Sequence, residues 1–169
     1  MQKFINKKPK RIKSKGETVI NLIIATHGEM SKYTLELSKM VLGEFDNLSS
    51  VTFLPGEGPD DLVRKYEETL ASFNNEYGTL FLVDIFGGSP YNAASRLVVE
   101  NENMDIITGV NVPMLLELLD ARDNIDAAKE LAEVAKESGK SGIQSFSEIF
   151  QSMSEKNQEL DDLDDLGEL

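Results

Sequence analysis

The chain has 169 residues, 40% hydrophobic and 28% charged, the balance of a globular domain with tails. With no cysteine and a single histidine it excludes disulfides, thiolate metal sites and cysteine nucleophiles, and zinc is disfavoured; magnesium held by carboxylates alone stays open. A net charge of -13 argues against nucleic acid and for basic protein partners, and no run approaches the ~20 apolar residues of a membrane helix, so a cytoplasmic protein is expected.

Residues 1–17 hold seven basic residues against Glu17 alone, leaving ten basic and 29 acidic residues over the other 152. The first stretch reads as a flexible basic arm, with contact to anionic lipid, RNA or the acidic tail as alternatives. The apolar run Val19–Ala25 predicts a buried strand, and Thr26-His27-Gly28 the turn where it stops. Met30, Tyr33, Leu37, Met40 and Val41 recur at helical spacing and predict a helix over Met30–Leu42, closed by Gly43. Leu48–Leu54 is a second strand. Pro55-Gly56-Glu57-Gly58-Pro59 then turns the chain into a helix over Asp60–Asn74, patterned on Leu62, Val63, Tyr66, Leu70 and Phe73. A third strand is expected at Thr79–Ile85, a third helix at Ser89–Val99, a fourth strand at Met104–Gly109 and a fourth helix at Pro113–Leu119. An Ala-rich fifth helix covers Asp126–Ser138, with Gly139 as its stop. Residues 140–146 follow a tight turn and alternate in part, which suits an edge strand. From Ser154 the chain is acidic and lacks the apolar mass to fold alone, although Leu160, Leu163 and Leu166 leave docking on a partner open.

Short apolar strands alternating with helices predict an α/β fold: a doubly wound, mostly parallel sheet flanked by helices. One domain is expected over residues 18–150, between the basic arm 1–17 and a flexible acidic tail 151–169.

Ligands of such sheets bind beyond the carboxyl ends of the strands, where His27 and Asp84 both fall. Histidine exchanges charge near neutral pH, and an aspartate beside it would fix the tautomer and leave the other ring nitrogen nucleophilic. Gly87-Gly88-Ser89-Pro90 adds a turn that a ligand can approach closely, with Ser89 as helix N-cap and Pro90 at the first helical position. Free N–H groups there favour an anion. Each feature also has an ordinary structural reading as a cap or turn; their coincidence on one sheet edge argues for function. A Gly-x-Ser-x-Gly elbow and a P-loop are absent, as are the second histidine and preceding arginine of histidine phosphatases and the acidic pair of receiver domains. What survives is nucleophilic catalysis in which His27 takes up a phosphoryl group and Gly87–Ser89 cradle it.

Four segments in order, Ile24-Ala25-Thr26-His27-Gly28, Phe53-Leu54-Pro55-Gly56-Glu57, Leu82 through Arg96, and Gly109-Val110-Asn111-Val112-Pro113-Met114-Leu115, closely resemble the IIA domain of the mannose-family sugar phosphotransferase system. The resemblance runs from about Val19 to Phe146. It implies a phosphocarrier that takes a phosphoryl group from phospho-HPr on His27 and passes it to a IIB domain for sugar uptake, with membrane IIC and IID components engaged indirectly. It places the orienting carboxylate at Asp84 and the phosphate-binding serine at Ser89. The candidate site is therefore His27 and Asp84 for chemistry and Thr26, Gly87, Gly88 and Ser89 for phosphate, with no metal and no cofactor. The resemblance also implies a homodimer that exchanges a C-terminal antiparallel edge strand at about Ser141–Phe146. Phe86 stands where some members carry Trp. No IIB domain follows within these residues, leaving a stand-alone IIA chain or part of a IIA-IIB chain. A regulatory phosphocarrier that signals sugar supply without feeding transport is the alternative, and a non-catalytic binding module the third reading.

Overall fold

Four parallel strands carry the fold in the computed structural model, which describes residues 19–73 and 77–154. The basic arm and the tail beyond residue 154 lie outside the described residues. In chain order the elements are β1 (Asn21–His27), α1 (Met30–Leu42), β2 (Leu48–Phe53), α2 (Pro59–Ala71), β3 (Thr79–Val83), α3 (Ser89–Val98), β4 (Met104–Thr108), α4 (Val112–Ala121), a short 3-10 turn (Arg122–Asn124) and α5 (Ala128–Ser141). The four strands and five helices expected before residue 140 are found, with ends shifted by at most three residues. One shift matters: β1 extends through His27, so the histidine closes the strand instead of sitting in the turn after it.

The strand order is β2-β1-β3-β4. β1 and β3 are therefore neighbours, and the order reverses between them. That reversal is where open α/β sheets bind ligands. Successive side chains of a strand face opposite sides of the sheet. Ile20, Leu22 and Ile24 accordingly join Leu80 and Leu82 in a core with Leu115, Leu118, Leu131 and Ala135 of α4 and α5. Ile23, Ala25, Phe81 and Val83 build the other core with Leu62, Tyr66 and Leu70 of α2 and Ala93 and Ala94 of α3. All five residues Thr79–Val83 are buried, as a strand covered on both faces requires. His27 has the parity of Ile23 and Ala25, so its ring lies on the α2–α3 side.

The opposite edge is pinned by Arg122. Its guanidinium is buried and donates to the carbonyls of Ile20 (3.4 Å), Asp46 (2.8 Å) and Asn47 (3.0 Å) while lying over the Phe45 ring. Burial pulls its pKa down to about 10. One side chain thus ties the entries of β1 and β2.

Gly43 ends α1 as expected, at φ 92° with its N–H on the Lys39 carbonyl (2.9 Å). Gly139 does not end α5, which runs on to Ser141. A Cβ there would stand 2.7 Å from Met114 Cε and 3.2 Å from Asn111 Nδ2. The glycine serves close packing against the start of α4, and the helix needs no left-handed residue at that point.

The chain divides into two compact units, residues 1–139 and 140–169. In that second unit the expected strand at Ser141–Phe146 is not formed. Ser141 ends a helix, residues 143–145 are irregular, and a further helix, α6, runs over 146–154. Ser145 starts it, accepting from the Ile149 N–H (3.1 Å). Among the described residues no strand pairs with the segment, and in α6 the rings of Phe146 and Phe150 stack one helical turn apart (6.0 Å). The first residues of the expected flexible tail, 151–154, continue this helix.

Candidate active site

His27 and Asp84 meet at the reversal point. Asp84 is the first residue past β3, and its Oδ2 lies 2.9 Å from His27 Nδ1. The same oxygen accepts the His27 backbone N–H at 2.9 Å, and Oδ1 accepts the Ile85 N–H at 2.9 Å. An ionised carboxylate only accepts. Nδ1 therefore carries the proton and Nε2 keeps its lone pair. The Asp84 side chain is 13% exposed and the His27 side chain 40%, so the carboxylate is sheltered while the ring is open to solvent.

The ring sits in a slot. A Cβ on Gly88 would fall 2.7 Å from His27 Cε1 and 3.5 Å from Nε2, so this position has room only for hydrogen. Its φ of -70° suits any residue, so close approach to the imidazole is what requires the glycine. Gly87, by contrast, has φ 74°, the left-handed conformation a tight turn uses. Asn92 Nδ2 holds that turn through the Gly87 carbonyl (2.8 Å). On β2, Phe53 is in register with His27, and its ring meets the imidazole edge-on at 5.6 Å. Its carbonyl also accepts the Gly28 N–H at 2.8 Å.

Gly88 is the N-cap of α3, which makes Ser89 the first helical residue and Pro90 the second. The expected roles of both are displaced by one position. The consequence favours ligand binding: among the described residues no hydrogen bond engages the Ser89 hydroxyl. First-turn N–H groups have no intrahelical acceptor, and their dipoles favour an anion. Tyr66 supports this turn from below. Its buried hydroxyl donates to the Pro90 carbonyl (3.0 Å), and burial, then the Asp84 charge, push its pKa upward, which keeps it a donor.

Thr26 is placed differently from the expectation that it binds phosphate. It is fully buried, on the opposite face of β1 from His27, and its Oγ1 accepts the Ser31 N–H at 2.7 Å. Ser31 in turn donates to the Val51 carbonyl (2.9 Å). Thr26 positions the start of α1 instead. Phe53, Tyr66 and Asn92 escaped assignment to the site from sequence. The helical stripe marked Tyr66 as core, but nothing local announced where its hydroxyl ends.

Among the described residues no group of three or more His, Asp or Glu side chains is gathered to hold a metal ion. No described helix is long and apolar enough to cross a membrane. Met30 and Tyr33 of α1 and the loop residues Leu54, Ile85 and Phe86 are exposed, the last with its ring 4.8 Å from Tyr91. All follow the carboxyl ends of β1, β2 or β3.

Residues 21–136 match the family model described as PTS system fructose IIA component. The mannose-specific EIIAB component of Escherichia coli (strain K12) is 46% identical over 112 residues, covering 66% of this chain and 35% of that protein. The fructose-specific EIIA component of Bacillus subtilis (strain 168) is 45% identical over 113 residues, covering 67% of this chain and 77% of that protein. The aligned region thus spans about a third of the EIIAB relatives. A phosphotransferase system component EIIA from Streptococcus agalactiae superposes with a TM-score of 0.70 at 27% identity, covering 76% of this chain and 98% of that one. A mannose/sorbose-specific IIA subunit from Enterococcus faecalis gives 0.68 at 26%, covering 76% and 96%.

Proposed function

Since the chain belongs to the fructose- and mannose-type IIA components of the sugar phosphotransferase system, we propose that it is a phosphocarrier that takes its phosphoryl group on His27 Nε2. The donor is phosphohistidine on HPr and the acceptor a IIB domain, which phosphorylates the sugar during uptake through the membrane IIC and IID components. The work is cytoplasmic and needs no cofactor. The observation that carries the reading is the Nδ1–Asp84 hydrogen bond, which leaves Nε2 as the reactive nitrogen beside the Gly87–Ser89 turn.

In the forward step the Nε2 lone pair forms a bond to phosphorus as the P–N bond of the donor breaks, and the donor imidazole leaves with that electron pair. Positive charge then develops on the His27 ring. Asp84 balances it through the Nδ1 proton, without bonding to phosphorus. The phosphoryl oxygens meet the free Ser89 hydroxyl and the first-turn N–H groups of α3. Positioning and electrostatics dominate such transfers, so these groups suffice. Transfer to IIB is the reverse chemistry at the same nitrogen. Exposed apolar residues following the carboxyl ends of β1, β2 and β3 suit a protein donor better than a small phosphorylated molecule. We also infer a homodimer, as in the family the chain resembles.

The test is incubation with phosphoenolpyruvate, Enzyme I and HPr, followed by intact mass. The expected result is one acid-labile phosphoryl group on the wild type and none on His27→Ala. No gain on the wild type while HPr itself is phosphorylated would overturn the reading.

A further inference from the structure

Phe53 is held on both sides by a single ion pair. Lys65 Nζ in α2 donates to the carbonyl of Thr52, the residue before it, at 2.8 Å. The same ammonium lies 2.6 Å from Glu57 Oε1. The other oxygen of that carboxylate, Oε2, accepts the N–H of Leu54, the residue after Phe53, at 2.8 Å. The Glu57 N–H returns to the Leu54 carbonyl at 3.1 Å, closing the turn. Both side chains are about three-quarters covered, 23% and 24% exposed, so the pair is better ordered than a free surface ion pair. The Leu54 N–H first, and then Lys65, hold the Glu57 carboxyl below the ordinary carboxylate range.

The bracket is placed where the sheet offers least support. β2 is an outer strand, paired to β1 alone, and Phe53 is its last residue. Yet Phe53 supplies one wall of the imidazole slot, opposite a glycine that leaves no slack. A ring free to tilt between those walls would lose its alignment on Asp84 and with it the single tautomer. The network extends from Thr52 to Lys65, so the control is exerted from α2, away from the reacting nitrogen.

We propose that the Glu57–Lys65 pair is a positioning device for the phosphoryl-accepting histidine, acting through Phe53 to hold the His27 ring in the orientation that keeps its proton on Nδ1. The proposal rests on the phosphocarrier reading for its effect on rate, while its effect on the imidazole is independent of that reading. Lys65 and Glu57 are positioning residues, neither of which contacts the imidazole in the structure.

The test compares wild type, Lys65→Met, Lys65→Arg, Glu57→Gln and Phe53→Leu by two readouts. The first is nitrogen NMR of the His27 ring, which distinguishes the tautomers. The second is single-turnover transfer from phospho-HPr over a range of donor concentrations. The expected result is a mixed or averaged tautomer in Lys65→Met and Glu57→Gln. Transfer at saturating donor should fall by about 10- to 100-fold, with the donor concentration for half-saturation unchanged. Lys65→Arg should restore both readouts, and Lys65→Met combined with Phe53→Leu should be no slower than Phe53→Leu alone. Glu57→Gln keeps an acceptor for the Leu54 N–H, so it supplies the answer should Lys65→Met fail to fold. Wild-type ring signals in folded variants, with only a lower melting temperature, would overturn the proposal. Were the wild type to accept no phosphoryl group, the phosphocarrier reading would fall and the ring signals would still decide this one.

Discussion

A single oxygen of Asp84, Oδ2, receives both the backbone N–H and the ring Nδ1 of His27, each at 2.9 Å. The histidine is thereby fixed at two points, its main chain and its side chain, by one carboxylate just past the end of the neighbouring strand. That bifurcation makes the ring's orientation a property of the sheet register, in which Ala25 pairs with Val83 just before the two residues.

Replacing Asp84 by Asn tests this arrangement. An amide has one acceptor and one donor end, whereas both carboxylate oxygens here face N–H groups. One amide orientation opposes the NH2 to His27 and the other opposes it to Ile85. The expected outcome is a folded protein with the wrong tautomer, slowed by about 10²- to 10⁴-fold in phosphoryl uptake. Quench-flow phosphorylation with circular dichroism on the same sample measures both; unchanged kinetics would remove Asp84 from the mechanism.

Gly88→Ala separates stability from activity differently. The backbone there is compatible with alanine, so little stability should be lost, but the new methyl would lie 2.7 Å from His27 Cε1. The imidazole must move. Phosphoryl uptake should fall by about 100-fold, with the urea midpoint within experimental scatter of wild type. A variant that unfolds outright would show that the turn, and not the ring, sets the limit at this position.

Tyr66→Phe removes the donor to the buried Pro90 carbonyl while keeping the ring packed on Phe81 at 5.1 Å. Leaving that acceptor unpaired should cost about 1–3 kcal/mol. Chemical denaturation measures the loss. Faster amide exchange at the start of α3 would show that Tyr66 steadies the turn that leads into this helix.

Acid should weaken the α2 end of the site. Glu57 and Asp61, held by the Leu54 and Gly58 N–H groups, both titrate below their ordinary values of 4.5 and 3.8. A carboxyl depressed in the folded state contributes stability above its unfolded value and loses it as pH falls through its folded value. Urea midpoints should therefore decline as pH drops below about 4.5, the ordinary value for Glu57. The decline should be shallower in Glu57→Gln. Parallel curves for the two proteins would mean that the Leu54–Gly58 turn holds without this charge.

Most of the architecture was legible because its signals are local. The Val, Ile and Leu runs marked the buried strands, and their alternation with amphipathic helices implied the parallel sheet. His27 and Asp84 could be placed on one edge from strand ends alone. What sequence could not supply depends on contacts between distant residues. Lys65 reads as an ordinary exposed position on a helix until its ammonium is seen on Thr52 and Glu57. Gly139 looked like a helix stop because local chemistry cannot distinguish a left-handed cap from a close approach to Met114 and Asn111. Thr26 adjoins the histidine in sequence, yet strand alternation sends it to the opposite face, where it caps α1. The segment 141–146 has a strand-like pattern, but patterning alone supplies no neighbouring strand, and the irregular stretch 143–145 leads into α6.

The sheet-reversal geometry also sets a schedule for the growing chain. His27 precedes the carboxylate that orients it by 57 residues, and Arg122 reaches back across 102 to the Ile20 carbonyl. At ribosomal speeds of about 5–20 residues per second, Asp84 is polymerised roughly 3 to 11 seconds after His27. Throughout that interval the imidazole has no Asp84 to choose its tautomer. The orientation of the imidazole is thus settled late in biosynthesis, only once β3 has taken its place beside β1.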